Sequence, residues 1–146
     1  MVILSKFAET LSALMSERNL NAPALGKIIG TDRSNITRYQ KGERLPSFEV
    51  FVALIEYFNV SADVLLGCVE FTNETDFLPI PDFGKRLRAV MAETKTSQYA
   101  IENHTNISSS SLYKWLFGQS LPHTESLVKL AEYMEISVDY LLGRIE

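Results

Sequence analysis

The chain has 146 residues, of which 46% are hydrophobic and 22% charged, with one cysteine and a net charge of −4. This composition predicts a folded protein rather than a disordered polyelectrolyte, and no apolar run reaches the roughly 20 residues that a membrane-spanning helix needs. One cysteine cannot form an internal disulfide, and Lys6 and Glu9 interrupt the apolar start Met1–Leu14, so we expect no secretory signal and a cytoplasmic location.

The first predicted elements are two helices separated by a polar turn. Helix 1 is indicated by apolar residues at helical spacing, namely Phe7, Leu11, Leu14 and Met15. Asn21 has the side chain of an N-cap for helix 2, and the predicted buried face of helix 2 consists of Leu25, Ile28 and Ile29. Gly30 then permits the chain to turn.

Three further helices are predicted before residue 68. Asp32 can cap helix 3, in which Ile36 and Tyr39 point inward, and Gly42 is a natural stop. Ser47 starts helix 4, whose core side chains are Phe51, Leu54, Ile55 and Phe58. Ser61 caps a short last helix that ends at a Leu-Leu-Gly sequence. No stretch of alternating hydrophobicity suggests a strand.

An internal repeat explains the rest of the chain, because Phe7–Gly67 aligns with Phe83–Gly143 at an offset of 76 residues without a gap. Identical pairs include Phe7/Phe83, Leu11/Leu87, Met15/Met91, Gly42/Gly118, Pro46/Pro122, Leu54/Leu130, Tyr57/Tyr133 and Asp63/Asp139. We therefore predict an all-α protein with two five-helix domains, residues 1–68 (repeat 1) and 82–146 (repeat 2).

The copy predicts the same elements in repeat 2. Ser97, Ser108 and Ser137 are its N-cap candidates, Gly118 is its helix stop, and Leu112 and Trp115 take the inward positions of Ile36 and Tyr39. The segment 69–81 joins the repeats and contains Phe71, Phe77, Leu78 and Ile80. It differs from a flexible Gly/Ser linker, so we expect it to cover the end of a core, with a dedicated binding role as the alternative.

The sequence from Asn21 to Ser47, NAPALGKIIGTDRSNITRYQKGERLPS, resembles the signature of the Cro/CI-type helix-turn-helix family, also called the XRE family. The later VSADVLLG, echoed as ISVDYLLG, is similar to the last helix of that family. The resemblance covers both repeats and implies two lambda-repressor-like domains. It also implies binding of double-stranded operator DNA and control of transcription, for which we expect repression, usually by a symmetric dimer.

The exposed residues of helix 3 have the chemistry that a major groove requires. Arg33, Ser34, Asn35 and Thr37 lie near the helix start, from which such a helix contacts base edges. Arg can bind guanine, Asn can bind adenine, and the Thr methyl can contact thymine. We expect phosphate contacts from Asn21, Lys27, Arg38, Lys41 and Arg44, which set the position of the protein on the duplex without reading sequence.

Repeat 2 predicts a weaker DNA contact. Its candidates are Gln98, Ser109, Ser110, Ser111 and Lys114. Gln98 occupies the position where the family commonly has a Gln and where repeat 1 has Ala22. Residues 1–69 contain seven basic and seven acidic residues, whereas residues 70–146 contain seven basic and eleven acidic ones. We therefore expect DNA affinity to reside mainly in repeat 1.

Three apolar residues on and just after helix 3 of repeat 2 suggest a protein contact. Tyr113, Leu116 and Phe117 lie at helical spacing, and we expect them to form a dimer or partner patch. The alternative is that Leu116 and Phe117 tuck under the joining segment. A homodimer formed through this patch would present one strong reading helix from each chain.

Catalysis is not indicated by any residue cluster in the sequence. His104 and His123 lie on different predicted elements, and Cys68 has no Cys-x-x-Cys partner. We expect no enzyme activity, no metal, no cofactor, no membrane contact and no small-molecule effector. The competing function is a protein-interaction module, such as an antitoxin-like regulator built on a helix-turn-helix scaffold.

Overall fold

The computed structural model describes residues 2–73 and 76–146, except the side chain of Val2, and this part of the chain contains helices and no strand. The chain divides into two compact units, Met1–Thr75 and Asp76–Glu146. Met1 of the first predicted domain and Glu74 and Thr75 of the predicted joining segment lie outside the described residues. In the described part, no helix is both long and apolar enough to cross a membrane.

Within the described residues, each unit contains five helices, as predicted for each repeat. In the first unit they are α1 Val2–Glu17, α2 Ala22–Ile29, α3 Arg33–Gln40, α4 Phe48–Phe58 and α5 Ala62–Leu65. In the second unit they are α6 Phe83–Glu93, α7 Gln98–His104, α8 Ser109–Leu116, α9 Thr124–Met134 and α10 Val138–Leu142. The all-α prediction is thereby confirmed.

The helices of the two units begin and end in the register of the repeat. The bounds of α8 and α9 differ from those of α3 and α4 by 76 residues at both ends. Helix α6 starts later than α1 would predict because Pro79 and Pro81 precede it and Asp82 caps it by accepting the Lys85 N–H at 3.1 Å. Helix α7 ends at His104, one residue before the counterpart of Ile29.

Most predicted helix caps form. The side-chain oxygens of Asn21, Ser47, Ser61, Ser97, Ser108 and Ser137 each accept a backbone N–H in the first turn of the following helix. Asp32 is an exception: it stands at the N-cap of α3, but its side chain makes no capping hydrogen bond. The prediction that the Asp32 side chain caps α3 is therefore wrong, although α3 begins directly after Asp32 as expected.

Most predicted core positions are buried, Leu14 and Ile29 are half-buried, and there is one clear exception. The fully buried apolar side chains of the first unit include Phe7, Leu11, Leu25, Ile36, Phe51, Leu54, Ile55 and Leu65, and those of the second include Leu87, Val90, Ile101, Leu127, Leu130, Leu141 and Leu142. The exception is Ile28, which is 47% exposed. Helix α2 directs Leu25 and Gly26 inward, and Ile28 lies about 100° around the helix from the middle of that face.

The second half of the joining segment packs on the second unit. The Leu78 N–H donates to the Arg144 carbonyl at 2.8 Å, and the Arg144 guanidinium lies 4.1 Å from the centre of the Phe77 ring. Arg144 is itself buried and forms an ion pair with Asp139 at 2.8 Å. Phe71, in contrast, is 76% exposed. Leu78 is 44% exposed despite its backbone hydrogen bond, so the expectation that the apolar residues of this segment cover a core fails at Phe71 and Leu78.

Candidate nucleic-acid interface

The turn between α2 and α3 depends on two glycines. Gly30 has the left-handed φ of 85°, and its N–H and that of Thr31 both donate to the Gly26 carbonyl. At Gly26, an added Cβ would lie 2.7 Å from the Thr31 carbonyl oxygen. Only a residue without a side chain permits this close approach, so Gly26 fixes the distance at which α3 follows α2.

Helix α3 has one buried face and one exposed face. Ile36 and Tyr39 are buried, as predicted. With a rotation of about 100° per residue, Ser34, Arg38 and Lys41 lie on the opposite side, and all three are exposed. Arg33 is exposed at the first turn. The outer face of α3 thus combines cationic and hydroxyl groups that contribute nothing to the core.

Two of the predicted base-reading residues are held by local hydrogen bonds. Asn35 is half-buried, donates from its amide nitrogen to the Thr31 hydroxyl at 3.0 Å, and accepts from Arg44 at 3.5 Å. The Thr37 hydroxyl donates to the Arg33 carbonyl at 3.0 Å. These contacts restrict both side chains, and the Thr37 hydroxyl is turned back toward the helix, so its methyl is the part suited to an apolar contact.

Tyr39 fixes the inner face of α3 to helix α1. Its ring packs edge-on against Phe7 of α1, with 6.0 Å between the ring centres. Burial raises the pKa of the Tyr39 hydroxyl above its usual range, and the nearby positive charge of Arg44 offsets part of this increase. Arg44, in the loop after α3, therefore lies within electrostatic reach of Tyr39 and within hydrogen-bond distance of the Asn35 side-chain oxygen.

The predicted phosphate-binding residues are all exposed, and all except Asn21 carry a positive charge. Lys27, Arg38, Lys41 and Arg44 are exposed, as is Asn21, whose side-chain oxygen is occupied as the cap of α2. Residues 22–44 contain five basic and two acidic residues. The net charge of −4 of the whole chain therefore does not describe this region, which is electropositive.

The equivalent region of repeat 2 is electrically neutral and rich in hydroxyl groups. Residues 98–120 contain one basic residue, Lys114, and one acidic residue, Glu102. Gln98, Ser109, Ser110 and Lys114 are exposed. Ser111 is half-buried, and its hydroxyl is hydrogen-bonded to that of Ser108 at 3.0 Å. Uncharged hydroxyl groups contact phosphate and bases weakly compared with Arg and Lys.

The structure corrects the proposed apolar patch at the end of α8. Leu116 is buried, with 3% of its surface exposed, because it lies four residues after the buried Leu112 and therefore on the same inward face. At Gly84 of α6, an added Cβ would lie 2.8 Å from the Trp115 carbonyl oxygen and 3.0 Å from that of Leu116, which shows how closely α6 approaches this end of α8. Leu116 is a core residue of its domain.

Tyr113 and Phe117 remain on the surface, where they form an aromatic pair. Both are about half-exposed, at 52% and 53%, and their ring centres are 4.6 Å apart. The guanidinium of Arg88 on α6 lies 5.9 Å from the centre of the Phe117 ring. At the equivalent positions repeat 1 has Thr37 and Lys41, so the aromatic pair replaces polar residues of the α3 outer face.

Sequence reasoning assigned no structural role to two residues that hold α3 in position. Thr31 orients Asn35, and Gly26 sets the spacing of α2 and α3. Thr31 lies just before the N-cap Asp32, where its hydroxyl can reach a side chain in the first turn of α3, so its place in the sequence was a usable signal. Arg88 could not be found in this way, because it contacts Phe117 from a different helix.

Comparison with known proteins places the same two regions in one class. A family model described as a helix-turn-helix domain matches residues 6–66, and a second, described as helix-turn-helix, matches residues 87–141. Neither the curated proteins nor the solved structures include a significant match to the chain. Among the described residues, no group of three or more His, Cys, Asp or Glu side chains is arranged to hold a metal ion.

Proposed function

We propose that this chain, which belongs to the XRE/Cro-CI type of helix-turn-helix proteins and carries two such domains in tandem, binds double-stranded DNA at specific sequences and represses transcription. The two matched domains support a DNA-binding regulator rather than an enzyme. The functional domains in this proposal are residues 1–68 and 82–146, connected by 69–81. Helix α3 of repeat 1 supplies most of the readout.

The observation that carries this proposal is the exposed outer face of α3. Its cationic and hydroxyl groups, Arg33, Ser34, Arg38 and Lys41, face solvent on a helix whose other side is fixed to the core by Ile36 and Tyr39. A rigid helix with such a face can enter a major groove and bind base edges from its first turn. Lys27 and Arg44 lie on the adjoining elements and are suited to phosphate.

The test is selection of bound sequences from a random duplex pool, followed by anisotropy titration of the selected site at several salt concentrations. Binding should weaken steeply as salt rises, since each neutralised phosphate releases counterions. Lys41→Ala should reduce the salt dependence, while Lys85→Ala, which removes an exposed lysine from α6, is the matched control. Failure to enrich any duplex would contradict the proposal.

A homodimer is part of the proposed function. We assign its contact surface to Tyr113 and Phe117, and exclude Leu116 because it is buried. Two exposed aromatic rings on each chain provide apolar area for a two-fold contact. Such a dimer would present two copies of α3, and half-sites in this class of protein are spaced by about 34 Å or multiples of it. Light scattering on the wild type and on the double variant Tyr113→Thr, Phe117→Lys tests this contact.

A protein-interaction role is the second candidate, and the same aromatic pair favours it. Neutral charge across residues 98–120 together with exposed Tyr113 and Phe117 suits a protein surface better than a phosphate backbone. Salt separates the two candidates, because attraction to DNA decreases strongly with ionic strength and an apolar protein contact does not. If salt-insensitive protein binding is found with no affinity for duplex DNA, the second candidate replaces the first.

A further inference from the structure

The second domain has a surface groove that the DNA-binding proposal does not use. It lies between the end of α7 and one side of α9, has a volume of about 380 Å³, and is lined by His104, Thr105, Asn106, Lys129, Glu132 and Tyr133. Small-molecule sites typically have volumes from about 300 to 1,000 Å³. The groove is open to solvent, so a ligand could enter without any rearrangement of the domain.

The backbone at this groove departs from the repeat. Helix α7 ends at His104 because Thr105 adopts an extended conformation, with φ −131° and ψ 171°. The Thr105 hydroxyl donates to the Ile101 carbonyl at 2.6 Å and accepts the Ile107 N–H at 3.1 Å. These two hydrogen bonds replace the left-handed glycine turn that ends α2, and they give the groove one of its walls.

Three side chains of the groove also differ from their counterparts in repeat 1, and each of the three is more polar than its counterpart. Where repeat 1 has Ile28, Gly30 and Ala53, repeat 2 has His104, Asn106 and Lys129. Glu132 and Tyr133 match Glu56 and Tyr57 of repeat 1. The three replacements add hydrogen-bond donors and a positive charge to a surface that the domain core does not require to be polar.

Aromatic surface adjoins these donors. The imidazole of His104 stacks on the Tyr133 ring, with 5.8 Å between the ring centres and 20° between their planes. In the described part of the chain Lys129 has no carboxylate within ion-pair distance. A cation without a partner beside two stacked rings is suited to a ligand that carries both a negative group and a planar ring.

We infer that this groove binds a small planar aromatic anion, in which a carboxylate or phosphate contacts Lys129, Asn106 and His104 and the ring packs against His104 and Tyr133. Glu132 then accepts a hydrogen bond from a polar group on the ring. None of its lining residues is among those to which we assign DNA contacts, and the inference revises the expectation from sequence that no small-molecule effector is evident.

The experiment is titration of the ¹⁵N-labelled full chain, followed by amide NMR. The probes are benzoate and adenosine monophosphate, compared with cyclohexanecarboxylate and benzyl alcohol, which lack the planar ring and the charge respectively. Saturable shifts confined to residues near 104–106 and 129–133 are expected for one or both aromatic anions. Loss of either the ring or the charge should weaken binding about tenfold or more.

Two variants that introduce repeat 1 residues test the groove, and a third variant, at an exposed lysine outside it, is the control. Lys129→Ala and His104→Ile introduce the residues of repeat 1 and should each reduce affinity for the bound aromatic anion about tenfold. Lys85→Ala, on α6, should leave it unchanged, and the amide spectrum of each variant reports whether it is folded. The inference is overturned if neither aromatic anion gives saturable shifts at millimolar concentration, or if Lys129→Ala and Lys85→Ala bind equally well.

Discussion

Helices α3 and α8 have the same length and the same place in their repeats, yet their outer faces differ in chemistry. Helix α3 exposes Arg33, Arg38 and Lys41, whereas α8 exposes serines at its start and the Tyr113–Phe117 pair at its end. The inner faces of both helices hold a β-branched or aliphatic residue followed by an aromatic one. Core positions therefore define the scaffold, while the outer positions, which lie outside the domain core, are free to take different roles.

The largest effect is expected when the aromatic residue on the inner face of α8 or α3 is replaced, because this residue fixes the helix to the core of its domain. Trp115→Ala should lower the free energy of unfolding of the second domain by about 3–5 kcal/mol, because it empties a large buried site. Trp115 is 6% exposed and Tyr39, its counterpart, is 3% exposed. Urea denaturation followed by circular dichroism measures the loss, and Tyr39→Ala is the matched variant. Cooperative unfolding at the wild-type midpoint would show that this position does not support the domain.

The next test concerns the close approach of α2 and α3, which repeat 2 does not share. Gly26→Ala should destabilise the first domain by about 2 kcal/mol, since the Cβ would collide with the Thr31 carbonyl and outweigh the gain in helix propensity. At the equivalent position repeat 2 carries Glu102, so Glu102→Ala should have little effect. Equal stability changes, measured by thermal unfolding, would contradict a difference in helix spacing between the repeats.

A third prediction contrasts the two outer faces on DNA. Arg33→Ala should weaken binding to a selected site by about 1–3 kcal/mol, as expected for loss of a bidentate base contact. Lys114→Ala should cost less, because repeat 2 places it among uncharged hydroxyl groups. Anisotropy titrations at one fixed salt concentration compare the two variants. Equal losses would mean that both repeats contribute equally to binding.

The smallest expected effect is a pH dependence of the free energy of unfolding that arises from Tyr39 on the inner face of α3 and not from Trp115 on the inner face of α8. The raised pKa of Tyr39, caused by burial, means that the folded first domain favours the neutral hydroxyl. This contribution to stability is fully present below the pKa of the unfolded chain and is lost as pH rises through the higher folded pKa. Trp115 at the equivalent position does not titrate.

Urea denaturation of the wild type and of Tyr39→Phe, at neutral and strongly alkaline pH, isolates this contribution. Alkali should destabilise the wild type more than the variant. Tyr140 adds a background in both proteins, because the hydrogen bond it donates to Glu93 raises its pKa as well. If the two proteins show the same pH dependence, the Tyr39 hydroxyl does not favour its neutral form in the folded domain.

Much of the fold was readable from the sequence because local signals agreed with the global repeat. Helical spacing from Phe7 to Met15, side-chain caps at Asn21 and Ser47, and glycine stops all act within a few residues. The ungapped internal repeat then gave a second, independent occurrence of each signal in the other half of the chain. For the candidate site, the inward positions Ile36 and Tyr39 assigned the outer face of α3 by elimination, and this assignment needed no tertiary information.

Tertiary structure decided which faces of the short helices are covered. Leu116 is buried because α8 turns it inward and α6 approaches that end closely at Gly84, whereas its counterpart Gln40 suggested an exposed site. Ile28 is exposed because α2 buries a narrower face than its apolar residues suggested. Likewise, the groove beside His104 arises where a turn and a distant helix meet. Burial depends on the neighbour that covers a side chain, and sequence spacing specifies only the direction in which it points.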